Sequence, residues 1–121
     1  MRNQIRLLVC CAFAGLTIQA WAHHSAAQFD FGNRVPVMGT VKLIEVRNPH
    51  IKLILDVRDD AGQTKEIEFE GHSRNNVFRR GWRPNSVGVG DEVTIEIAPL
   101  RDGSGEGGYI TAFQLADGTG F

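Results

Sequence analysis

The segment TKEIEFEGHSRNNVFRRG, residues 64–81, decides the fold. Its first seven residues alternate, with Ile67 and Phe69 on one face and Glu66, Glu68 and Glu70 on the other, the period-two pattern of a half-buried strand. The pattern then changes abruptly. Ser73 has the chemistry of a helix N-cap, Val77 and Phe78 supply an apolar side, and Arg79-Arg80-Gly81 suits a helix C-terminus. The segment predicts a strand and then a short helix, the one helix foreseen in residues 23–121.

Upstream, Ile51, Leu53, Leu55 and Val57 share a face, and His50, Lys52, Asp56 and Arg58 lie opposite. The turn Asp59-Asp60-Ala61-Gly62 joins this strand to the next. Earlier still, Val37, Gly39, Val41 and Leu43 alternate with Met38, Thr40, Lys42 and Ile44, until Asn48-Pro49 ends the run. Downstream, Gly88-Val89-Gly90-Asp91 turns into a strand with Val93, Ile95 and Ile97 inward. Residues 102–108 read as a glycine-rich hairpin loop, Tyr109 to Leu115 as a fifth strand, and Asp117-Gly118 as the start of a tail. Three strands, a short helix and two strands is the order of the OB-fold. The expected class is all-β with one short helix, a small five-stranded OB-like barrel. An open β-sandwich, the nearest competitor, usually wants about seven strands.

The chain has 121 residues and a net charge of −1. That length allows one domain, and the charge lacks the basic footprint of a nucleic-acid binder. Residues 1–22 read as an export signal: Arg2 and Arg6 precede an apolar run from Leu7 to Ile18, and Ala20-Trp21-Ala22 gives the small-x-small cleavage pattern. The run is too short for a bilayer, which needs about 20 apolar residues. Cleavage after Ala22 would leave residues 23–121 as a periplasmic or secreted barrel domain with no membrane span. Both cysteines, Cys10 and Cys11, would leave with the signal, so a packed core has to stabilise the mature domain without disulfides.

The mature start His23-His24-Ser25, Phe29-Asp30, Gly39-Thr40-Val41, Asn48-Pro49-His50, Arg79-Arg80-Gly81-Trp82, Gly90-Asp91, Asp102-Gly103-Ser104 and Asp117-Gly118 occur in that order. In these motifs the chain resembles an uncharacterised family of small exported bacterial proteins, a domain of unknown function. Val46 stands where members often carry an aromatic residue. The resemblance implies location and architecture and no reaction.

After cleavage, His23 would carry a free α-amine beside its imidazole. Those two nitrogens, with another imidazole, make the nitrogen-rich set that Cu(II) prefers. His24, His50 and His72 are the candidate partners, and His50 leads because it follows a rigid Asn-Pro turn on the polar face. The metal reading therefore names His23, His24 and His50, with copper as the candidate cofactor. A competing structural reading leaves the N-terminal histidines outside the barrel and puts the His50 ring on a backbone carbonyl.

Arg79, Arg80 and Trp82 are the second candidate set, able to take an anionic ligand or a periplasmic partner. In the structural alternative, the arginines offset a helix C-terminus and Trp82 plugs the barrel end. Asp102, Ser104 and Glu106 have calcium-like spacing but lack the other ligands of such a loop. No Gly-x-Ser-x-Gly or His-Glu-x-x-His motif occurs, and no residue set specifies an acid, a base and a nucleophile together. The functional expectation is a periplasmic metal-binding barrel, or else a metal-free module binding a protein, glycan or small ligand. An oxidative enzyme built on the same copper site is a weaker third reading.

Overall fold

The computed structural model describes residues 26–121. Five strands, β1 (Val35–Glu45), β2 (Lys52–Arg58), β3 (Thr64–Glu70), β4 (Glu92–Pro99) and β5 (Gly107–Leu115), form a closed barrel in the order β1-β2-β3-β5-β4. The helix α1 (Arg74–Arg79) lies between β3 and β4 in sequence. The architecture is the small all-β barrel that the order of elements predicts. All pairings are antiparallel except β3–β5, which runs parallel over Glu68–Glu70 and Gly107–Tyr109. No described helix is long and apolar enough to cross a membrane.

The inward faces of β2 and β4 follow the sequence pattern. Leu53, Leu55 and Ile95 are completely buried, and Ile51, Val93 and Ile97 nearly so. Phe69 of β3 joins them, with Ile67 partly covered. On the outer face, Lys42 lies between Asp56 at 3.6 Å and Glu66 at 3.2 Å, and Lys52 meets Glu68 at 2.9 Å. Such exposed pairs contribute little, typically about 0–1 kcal/mol. The glutamates of β3 thus form a solvated face.

β1 departs from simple alternation. It pairs with β4 along its first half and with β2 along its second, and Thr40 faces both Glu92 and Asp56. Its register with β2 slips between Val41 and Leu43. One extra residue reverses the alternation beyond it, so Ile44 and Val46 pack against the core. The sequence pattern placed Leu43 in the inward set; the bulge puts Ile44 there instead. Gly39, at the change of partner, lets the strands approach: a Cβ there would lie 2.8 Å from the Asp56 carbonyl oxygen and 3.0 Å from Leu55 Cβ.

β5 also begins earlier than the sequence suggests. Gly107 and Gly108, expected in the loop, pair with Glu68 and Phe69 of β3. A Cβ on Gly108 would sit 2.7 Å from Ile97 Cδ1 and 2.9 Å from the Ala98 carbonyl oxygen. Glycine is therefore what allows β5 to wedge between β3 and β4 and close the barrel. A second slip, between Glu96 and Ile97, lies opposite Thr111, whose Oγ1 donates to the Glu96 carbonyl at 3.0 Å. After it the core-packed residues of β5 are Phe113 and Leu115.

The helix ends as its residues predict. Ser73 Oγ accepts from the Asn76 amide at 3.4 Å, and Gly81, at φ +102°, leads the chain away behind Arg80. The helix is shorter than two turns, at six residues. Its contribution to the core is Val77 and Phe78, followed by Trp82, which is 7% exposed.

Candidate functional site

The β1–β2 loop carries His50 and the β3–α1 turn carries His72. Reciprocal backbone bonds tie these segments together: Ile51 N–H donates to the His72 carbonyl at 3.2 Å, and Gly71 N–H to the Ile51 carbonyl at 3.0 Å. His50 Nδ1 donates to the Gly71 carbonyl at 3.1 Å. A carbonyl can only accept, so the proton of the neutral ring is on Nδ1 and Nε2 keeps its lone pair. The competing structural role foreseen for His50, a ring on a backbone carbonyl, is therefore present, and it leaves the second ring nitrogen unspent.

Both histidines flank Tyr109 at the start of β5. His72 Nδ1 and Tyr109 Oη are hydrogen-bonded at 3.2 Å. The His72 and His50 rings stand edge-on to the phenol, with centroids 5.3 Å and 6.2 Å away. Phe29 and Phe31 complete the cluster, at 5.6 Å and 5.3 Å from Tyr109. Burial, and then the charges of Arg80 and His50, push His72 below the ordinary histidine range. Burial, and then the Glu70 carboxylate, raise the Tyr109 phenol, with Arg80 opposing. At neutral pH both groups are uncharged, which suits a partly buried polar pair.

The N-terminal segment is fastened beside this cluster. Phe29 forms a bridge with Leu100, Asp30 N–H donates to the Pro99 carbonyl at 2.8 Å, and Arg101 N–H donates to the Gln28 carbonyl at 2.9 Å. Arg101 Nε adds a bond to the Ala27 carbonyl at 3.1 Å. His23 and His24 lie outside the described residues, so this geometry stops three positions short of His23. Among the described residues, no three His, Cys, Asp or Glu side chains are grouped to hold a metal. A complete ligand set would need the residues before Ala26.

A narrow apolar slot adjoins the cluster and shares Ile51, Gly71 and His72 with it. Val77, Trp82 and Phe113 line its walls, and Arg80 lies at the same opening. Trp82 presents part of its ring to the slot while most of the ring is packed in the core. Arg79 is exposed on the last turn of α1. The structure brings Arg80 and Trp82 together and leaves Arg79 to one side. The calcium-like loop is spent on itself: Asp102 accepts from Ser104 N–H, Ser104 from Glu106 N–H, and Glu106 pairs with Lys65.

The model of a family of unknown function, DUF6152, matches residues 11–109. The chain belongs to DUF6152. The match takes in β1 to β4, the helix and the first residues of β5, so it spans every histidine discussed above. No curated protein and no solved structure matches the chain. DUF6152 is a family of unknown function and assigns no chemistry to these residues.

Sequence reasoning missed Tyr109, Phe29 and Phe31 as site residues and ranked His72 behind His50. One signal was available. Tyr109 is the chain's single tyrosine and precedes the inward-facing Ile110, which puts it on the outer phase of its strand.

Proposed function

We propose that this protein is an exported binding module, cut after Ala22, that takes a divalent metal at the His50 rim, with Cu(II) the foremost candidate. The amine and ring of His23 supply two ligands and His50 Nε2 a third, with His24 as the alternative imidazole. The observation that carries the reading is the bond from His50 Nδ1 to the Gly71 carbonyl. Metal-ligating histidines commonly donate their second nitrogen in this way, which fixes the tautomer and aims the free one. The fastening of residues 27–30 beside Tyr109 supports it further. Ala26 is three positions from His23, a span of at most about 11 Å.

The test uses protein recovered after export. Intact mass gives the N-terminus, and Cu(II) titration followed by EPR reads nitrogen ligation. His50→Ala and His23→Ala should each weaken Cu(II) binding at least tenfold and change the hyperfine pattern. Unchanged affinity and spectrum in either variant rejects the ligand set. A metal-free interaction module is the second reading, favoured by the apolar slot beside Arg80.

A further inference from the structure

The slot beside α1 differs in kind from the histidine rim. Its walls are almost entirely apolar, formed by Ile44, Ile51, Val77, Trp82, Ile110 and Phe113. The recess is small: the centre of a water-sized sphere can move through about 30 Å³ of it, within about 430 Å³ of free space that includes the opening to solvent. An apolar recess of this kind gains by covering with a compact apolar group.

One cation, Arg80, stands at the mouth of the slot. Arg74, Arg79, Arg80 and Arg83 cluster around α1, and among the described residues none of them forms an ion pair, although six other basic side chains do. Arg74 and Arg83 are committed to the Phe78 ring, 4.9 Å and 5.7 Å from its centroid. Arg83 also donates to the Phe78 and Trp82 carbonyls at 3.0 Å and 2.7 Å. Arg80, by contrast, makes one long bond, to the Thr111 carbonyl at 3.5 Å. Its guanidinium retains most of its five donors at the edge of an apolar recess. His72, neutral at physiological pH, lines the same edge.

The geometry points to a binding site for a carboxylate on a compact apolar body, with the carboxylate paired to Arg80 and the body seated between Trp82, Ile110 and Phe113. A planar guanidinium matches a carboxylate in two parallel hydrogen bonds. A recess of this size suits a branched aliphatic or single-ring body. A free organic acid and the C-terminal residue of a peptide both present that chemistry. The site is independent of the metal reading, since none of its residues is a proposed ligand.

Trp82 supplies the readout. The other tryptophan, Trp21, belongs to the proposed leader, so the exported chain would have a single tryptophan, and it lines the slot. The exported protein is titrated with isovalerate, benzoate, benzyl alcohol and a short acetylated peptide ending in Leu, as free acid and as amide. Saturable change in Trp82 emission is expected with carboxylates and not with benzyl alcohol or the amide. Preference for the small acids or for the peptide acid identifies the source. Arg80→Gln should weaken carboxylate binding at least tenfold, and Arg58→Gln, at the opposite end of β2 from Ile51, should not. Circular dichroism melts check that both variants fold. No saturation with any carboxylate, equal binding of alcohol and acid, or equal affinity in folded Arg80→Gln each overturns the proposal.

Discussion

Replacing Gly108 with alanine probes the closure of the barrel and the seat of Tyr109 together. The added Cβ would meet Ile97 Cδ1 at 2.7 Å, the Ala98 carbonyl oxygen at 2.9 Å and Ile97 Cβ at 3.2 Å. Comfortable carbon contacts are about 3.5–4.0 Å, so the intrusion approaches 1 Å on two sides. The Ile97 methyl can turn away. The Ala98 oxygen cannot, because it belongs to the ladder that pairs Ala98 with Tyr109 and Pro99 with Gly108. β5 must therefore shift from β4, and overpacking of this kind costs about 1–3 kcal/mol. Taking about 2 kcal/mol, a domain of this size loses roughly 8–16 °C in Tm. The assay is urea unfolding followed by Trp82 fluorescence, with Gly88→Ala as control. At Gly88 the nearest atom to an added Cβ is Asp91 Oδ2 at 3.9 Å, so the control should change stability by no more than about 0.5 kcal/mol. Midpoints for Gly108→Ala and Gly88→Ala that agree, at equal slope, would refute the wedge argument.

Two further outcomes follow from the same geometry. His72 is held below its ordinary pKa by burial, Arg80 and His50, so on acidification the unfolded chain takes up a proton before the folded one. This contribution to stability is present above the unfolded pKa of about 6.5 and is lost as pH falls below it. NMR titration should find His72 titrating below that value and moving up in Arg80→Gln; an unmoved titration contradicts the assigned cause. Ser73→Ala removes the side-chain acceptor of α1 and should cost about 0.5–1 kcal/mol in urea unfolding, the low end of the range because the bond is long at 3.4 Å. A stability gain would show that the cap contributes nothing.

The site was less legible in the sequence than the fold. His50 stood out because it follows Asn48-Pro49 on a polar phase, and the structure gives it a defined tautomer through Gly71. His72 had no such local marker. Its significance comes from Tyr109, 37 positions later, and from backbone bonds between its turn and Ile51. Phe29 and Phe31 likewise read as isolated aromatics until the Leu100 bridge places them against the same phenol. The sequence allows Trp82 as a contact or as a plug, and its burial with Val77 and Phe78 favours the plug while leaving one edge on the slot.

Local chemistry by itself determined the phases of β2, β3 and β4, the limits of α1 and the order of five strands, because alternation and capping act between residues a few positions apart. Only the tertiary structure decided where that alternation breaks. β1 has to serve β4 and then β2, and β5 has to fit between β3 and β4, so each strand carries a register slip that reverses its inward face. Those slips answer to partners distant in sequence, as does the meeting of His50, His72 and Tyr109. Pairing across a closed barrel is a long-range constraint, and a period of two within one strand contains no record of it.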